Sequence, residues 1–270
     1  MIRSIKSELL KFFTTRMWWG MAIAIVLAGA GFALLFGFIF TSDAAASGNN
    51  GGGPPPITND LDLARQVFTG GIGVGYLLTL AIGVMTIGSE YRHKTVTSTF
   101  LSNPKRVQVM GAKVVALLVI GAMYAVLSLV GSVVTGGLLL TAKGHAPFAD
   151  PEIWRTLALA LLVLGLWALI GLGVGILIPH QVAALLIAIG VAWIIEPILG
   201  AVLGITSWGS DITPYLPSQA TSAMLSTSTG GFNGETVQTL SWWAGALVLA
   251  AYAAVMAGIG SWLTVRRDIS

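Results

Sequence analysis

The chain has 270 residues, 55% of them hydrophobic and only 9% charged, with a mean hydropathy of +0.85, a formal net charge of +3 and a pI near 9.3. Soluble globular domains carry about 25% charged residues, so this composition sets the chain apart from them and points to a protein built for lipid. The absence of cysteine excludes disulfides, thiolate catalysis and thiolate metal sites, and no aromatic-interleaved basic module supports a nucleic-acid partner.

Six apolar runs, each near the roughly 20 residues needed to cross a hydrocarbon core of about 30 Å, predict an all-α polytopic membrane protein. The spans are Trp18 to Phe40, Val67 to Gly88, Val114 to Leu140, Leu157 to Ile178, Val182 to Leu203 and Trp242 to Val265. Their apolar character is continuous rather than alternating, which favours helices over a barrel. The first run is much longer than the 7 to 15 apolar residues of a secretory signal, so it reads as a retained span despite the basic start and Ala44, Ala45 and Ala46 after it. The third run has 27 residues and is expected to tilt or to extend past the bilayer.

Between the spans, the connection TSDAAASGNNGGGPPPITNDLD has the composition of a flexible linker. Pro179, His180 and Gln181 form a turn so short that spans four and five must make an antiparallel hairpin, with His180 read as a solvated turn residue in preference to a ligand. In the segment from Thr206 to Ser241, PYLPSQATSAML predicts either a short amphipathic helix starting near Pro217, at or dipping into the membrane surface, or an ordinary interfacial loop.

Charge orients the chain. With six spans both termini share a side with the second and fourth connections. That side holds Arg3, Lys6, Lys11, Arg16, Arg92, Lys94, Lys105, Arg106, Lys113, Arg266 and Arg267, against Arg65, Lys143 and Arg155 opposite. Short cytoplasmic loops carry the excess of Lys and Arg, so the N- and C-termini are expected in the cytoplasm.

Glu196 in AWIIEPILG is the one acid inside a span. A buried charge in lipid is a functional-site hypothesis, and Pro197 biases its predecessor away from helical geometry, so the pair suggests a broken fifth helix. At 1.5 Å per residue Glu196 lies about 21 Å from the start of its span. It is read equally as a group in outer interfacial water and as part of a gate or substrate path. The glycine clusters GIGVG (Gly71 to Gly75) and GLGVG (Gly171 to Gly175) lack the strand and spacing of a nucleotide loop, and with Gly29, Gly31, Gly258 and Gly260 they are read as helix-packing positions.

Recognisable catalytic machinery is missing. No GxxxxGK[ST], HExxH or GxSxG pattern occurs, and His93, His145 and His180 fall in separate connections. The chain is therefore read as a non-enzyme without cofactor or metal, whose chemistry belongs to a partner. The expected docking element is the basic stretch SEYRHKTVTSTFLSNPKRVQVMGAK (Ser89 to Lys113), where Glu90 and Lys94 are four apart in the orientation that favours a helical ion pair and Pro104 marks a helix end. A short surface helix from about Ser89 to Ser102 is predicted.

Gly88, Glu90, Tyr91, Thr95, Leu101, Pro104 and Lys113 resemble the cytoplasmic segment between the second and third helices of ABC-2 type permeases, the membrane subunits of ATP-binding cassette exporters. SELLKFFTTRMWW is similar to the start of actinobacterial members, and the EP at Glu196 and the PYLPSQA segment also fit. The resemblance implies one permease domain over residues 1–270 in a bacterial plasma membrane. It would pair as a homodimer or heterodimer and join a cytoplasmic ABC ATPase subunit. It also implies an amphipathic interfacial helix over residues 1–17, for which Ile2, Ile5, Leu9, Phe12 and Phe13 supply an apolar face.

Glu90, Tyr91, Arg92 and Thr95 would be coupling residues, and Glu196, Pro197, Tyr215 and Pro217 an outer gate or substrate path. The apolar spans favour a hydrophobic or amphipathic cargo. Competing readings are a non-transporting membrane anchor or immunity-type protein and an ion-coupled carrier.

Overall fold

An apolar run in lipid folds as a helix because only a helix pairs every backbone N–H and C=O within its own segment. The computed structural model describes residues 2–42, 57, 59–93, 106–204, 206, 208–227 and 240–266, and among these the regular elements are all helical. In chain order they are α1 (Ile2–Thr14), α2 (Met17–Phe40), α3 (Asp60–Thr69), α4 (Ile72–Arg92), α5 (Arg106–Ala142), α6 (Glu152–Leu177), α7 (Gln181–Gly190), α8 (Glu196–Gly204), α9 (Pro217–Leu225) and α10 (Trp242–Arg266). Among the described residues six stretches are long and apolar enough to span a membrane, α3 with α4 forming one and α7 with α8 another. The chain is an all-α, multi-pass membrane protein.

The expected spans are recovered with shifted ends. The second begins upstream as α3, passes through a turn at Gly70 and Gly71, and continues as α4 through Arg92, four residues past Gly88. The turn is closely packed: the Phe36 ring lies against Gly70, and Gly71 meets the backbone of Gly29, so neither glycine has room for a side chain. The third span is 37 residues long, about 55 Å at 1.5 Å per residue, so it projects well beyond a hydrocarbon core. Most of the Gly- and Pro-rich connection after α2 lies outside the described residues.

Helix α6 is the hub. It packs against α4, α5, α9 and α10, and Trp167, Leu164, Leu172 and Ile176 are buried on its several sides. Helices α2, α7, α8 and α10 form the periphery and turn Leu27, Leu186, Trp193, Ile198 and Leu247 outward, an apolar shell suited to lipid.

Close approach at the hub depends on glycine. A methyl at Gly83 would overlap the Ala168 carbonyl, and one at Gly171 would overlap the Leu80 carbonyl, so α4 and α6 touch backbone to backbone. Gly29, Gly71, Gly75, Gly173 and Gly175 are likewise packed against neighbours. Gly31, Gly73 and Gly258 are not: nothing lies within 4 Å of a Cβ built there, so the packing role expected of all these glycines holds for only some of them. The surroundings of Gly260 lie outside what is described.

The fifth span is not broken. Glu196 is helical, with φ −63° and ψ −48°, and a π-helical turn over Val191–Ile195 joins α7 to α8. A proline in a regular helix collides with the carbonyl four residues back; widening the preceding turn by one residue relieves that collision, so the helix swells instead of snapping. At the other end of the span, His180 caps α7 through Nδ1, which accepts from the Ala183 N–H at 3.2 Å. The turn leads into the expected hairpin, although α7 packs mainly on α4.

Candidate functional site: a buried charge cluster at the basal face

We call the face that carries α1 basal and the other distal. Four charged groups from three helices meet at the basal face. Glu8 lies one helical turn before Phe12, so the turn that buries Phe12 against Tyr124 also carries Glu8 inward. Glu90 sits on the last turn of α4. Lys113 sits seven residues into α5, where its ammonium has only 2% of its side chain exposed.

Lys113 Nζ donates to Glu8 Oε2 at 2.6 Å and to Glu90 Oε1 at 2.6 Å. Lys11 Nζ donates to Glu8 Oε1 at 2.8 Å and to Glu90 Oε1 at 3.0 Å. Two ammoniums and two carboxylates thus form a neutral, closed set of charge-assisted bonds, which is the condition under which ions tolerate burial.

Burial alone would push the Glu8 carboxyl up, but Lys113 and Lys11 together outweigh it and hold Glu8 below its ordinary 4.5. For Lys11 burial pulls downward, and the bonds and field of Glu8 and Glu90 overcome it and raise the ammonium above its ordinary 10.5. Glu8 and Lys11 are therefore both charged at neutral pH. Beside the cluster lies a cavity of about 200 Å³, walled by Phe12, Met17, Met85, Leu117 and Ile120.

The expected coupling residues separate here. Glu90 turns inward, Tyr91 is half-buried against the core, Arg92 is exposed, and Lys94 and Thr95 lie outside the described residues. Ser89 to Arg92 form the end of α4 and not the start of a separate surface helix; the remainder of that predicted helix, to Ser102, falls largely outside the described residues. Glu90 pairs with Lys11 and Lys113 across 79 and 23 residues of sequence, and the expected local pair with Lys94 lies outside the described residues. The amphipathic N-terminal helix is present, but its apolar face is only partly used: Phe12 is buried, whereas Ile2 is 73% and Phe13 40% exposed.

At the distal side the structure brings together two of the four proposed gate residues. Glu196 Oε1 accepts from the Ser218 N–H at 2.5 Å, at the N-terminus of α9, where Pro217 occupies the first turn. Pro197 and Tyr215 point outward. A carboxylate at a helix N-terminus satisfies an orphan donor and complements the helix dipole, so Glu196 fastens α9 to α8.

Helix α9 is let into the bundle instead of resting on it. Thr221 accepts from Trp167 Nε1 at 2.9 Å, and Trp167 lies about 22 Å along α6 from Glu152 at 1.5 Å per residue. The Trp167 indole stacks on Tyr76 with centroids 4.3 Å apart. Above it, Arg65 pairs with Asp62 on its own helix at 3.0 Å and joins α3 to α6 through Glu152 at 2.6 Å.

In the sequence Lys11 and Lys113 count as topogenic charge, and Glu8, Lys11 and Lys113 all fall in segments that resemble ABC-2 permeases, but nothing there marks them as members of one charge cluster. The signal that sets Glu8 apart is its i, i+4 spacing from Phe12; Lys113 has none beyond its place at the head of an apolar run. Ser218, Thr221, Trp167 and Tyr76 were equally unmarked. No protein-family model matches this chain, and no curated protein matches it.

Proposed function

We propose that the chain is the membrane-spanning permease subunit of an ABC-2 type ATP-binding cassette exporter in a bacterial plasma membrane, with its basal face in the cytoplasm. A separate cytoplasmic ATPase subunit hydrolyses ATP, the permease pairs with a like subunit, and this chain is not itself an enzyme. The observation that carries the reading is the junction at Glu90. The segment resembling the family's coupling element leaves α4 next to a residue tied by ion pairs to α1 and α5. A push on that segment would therefore be shared by an interfacial helix and two spans, as coupling of ATP binding to a change of access requires.

The distal closure in this scheme is α9, held by Glu196, with Pro217 at its start. Arg92, exposed at the end of α4, is the better probe of coupling, since Glu90 also holds the fold together. Purification of the chain in mild detergent is expected to bring down a stoichiometric Walker-motif ATPase. Arg92→Ala should preserve that assembly while lowering substrate-stimulated ATP hydrolysis several-fold. Purification without any ATPase, or transport in proteoliposomes driven by an ion gradient without ATP, would overturn the proposal in favour of an anchor or a carrier.

A further inference from the structure

We propose that the basal cavity is a binding site for a small organic ammonium ion carried on a compact apolar body, and that Lys11 is its tethered occupant when no ligand is bound. The two lysines of the cluster are not equivalent. Lys113 is a fixed floor with 2% of its side chain exposed, whereas 46% of the Lys11 side chain is exposed as it reaches over from α1. Its Nζ lies between the carboxylates of Glu8 and Glu90, at 2.8 and 3.0 Å. When Lys11 swings into solvent, Glu8, Glu90 and Lys113 are left with one net negative charge, which a single cation neutralises.

Two hydroxyls among the polar groups of that lining act as acceptors. Thr15 Oγ1 donates to the Phe12 carbonyl at 2.8 Å and Thr86 Oγ1 to the Ile82 carbonyl at 2.7 Å. Their protons are committed, so both hydroxyls, which line the cavity, offer lone pairs to a ligand N–H. Below them the walls are apolar and include Met17 and Met85, whose thioether side chains adapt to irregular shapes. An apolar cavity of about 150 Å³ accepts benzene, so about 200 Å³ suits one ring or a short branched chain. The carboxylates disfavour anions, and a neutral isostere leaves the charge unbalanced.

The site is defined by binding alone and stands whether or not the chain is an ATP-driven permease. The test uses the full chain in a non-ionic detergent with radiolabelled 2-phenylethylamine. Saturable binding is expected, displaced by unlabelled amine and not by 2-phenylethanol or 3-phenylpropionate. Lys11→Met removes the tethered competitor and should tighten binding at least fivefold, and Glu8→Gln should weaken it at least tenfold. Because Glu8→Gln disturbs a buried pair, the Lys11→Met gain and the isostere series decide the matter without it. Non-saturable uptake, equal displacement by the alcohol, or no gain in Lys11→Met would overturn the proposal. Displacement by micellar phosphatidylethanolamine would overturn the assignment to a small molecule and give the site to a lipid headgroup.

Discussion

Lys113 shows how much a single side chain can be asked to hold. Its ammonium is buried between two carboxylates from different helices, 2.6 Å from each. Removing one member of a buried ion set strands the others, at a cost of about 3 to 5 kcal/mol, whereas replacing the whole set with apolar or neutral groups is often nearly neutral. Lys113→Met is therefore expected to lower stability in detergent by roughly that amount, read as a lowered midpoint of thermal unfolding. Adding Glu8→Gln, Glu90→Gln and Lys11→Met, which removes the whole set, should recover most of the loss; no recovery would mean that Lys113 matters through something other than its charge. Glu196 is a contrasting residue. Its intramembrane acid stood out in the sequence, yet its partner, the Ser218 N–H, comes from a segment 22 residues on whose depth no local pattern reveals.

Among the elements, α4 and α6 depend on each other most directly, because Gly83 and Gly171 let their backbones meet. Gly171→Leu would drive a side chain into the Leu80 carbonyl, and a backbone atom in a helix has little room to yield. The expected result is loss of monodisperse protein in size-exclusion chromatography. Gly31→Ala and Gly258→Ala face open space and should be neutral, or stabilising by up to about 1 kcal/mol through helix propensity. Hydropathy cannot distinguish these glycines, since all lie in similar apolar runs.

The docking of α1 is governed by pH. Glu8 has a folded pKa below 4.5, so its contribution is present above that value and is lost as pH falls through the lowered one. Lys11 has a folded pKa above 10.5, so its contribution is present below that value and is lost only as pH rises past the raised one. Backbone hydrogen exchange over residues 2–14, corrected for intrinsic rates, should stay slow through the neutral range and quicken on acidification below about pH 4.5. Release already at pH 6 would rule out this ion-pair account.

At the scale of the whole molecule, charge and shape agree on two faces. The basal face gathers α1, the end of α4, the start of α5 and the turn at His180, and the distal face carries α3, α9 and the loop before α6. Because the chain has no cysteine, single cysteines can report the sides directly. Thr14→Cys and His93→Cys, both exposed, should be shielded from a membrane-impermeant maleimide in intact cells, while Lys143→Cys should be labelled. The reverse pattern would overturn the orientation drawn from the Lys and Arg count.

The sequence by itself determined the class of protein, the number of spans and their approximate ends, because lipid leaves an apolar run of about 20 residues no backbone structure but a helix. It also offered α9 with its proline start as one of two readings of that segment, beside an interfacial loop, through local patterns that need no partner. Only the tertiary structure decided that α6 is the hub, that the fifth span bulges without breaking, that Glu90 faces inward and that Glu8, Lys11 and Lys113 meet it. Apart from α3 the spans are apolar nearly all round, so hydropathy carries little information about which side faces protein. The partners of a buried charge lie as many as 105 residues apart, and only packing brings them together.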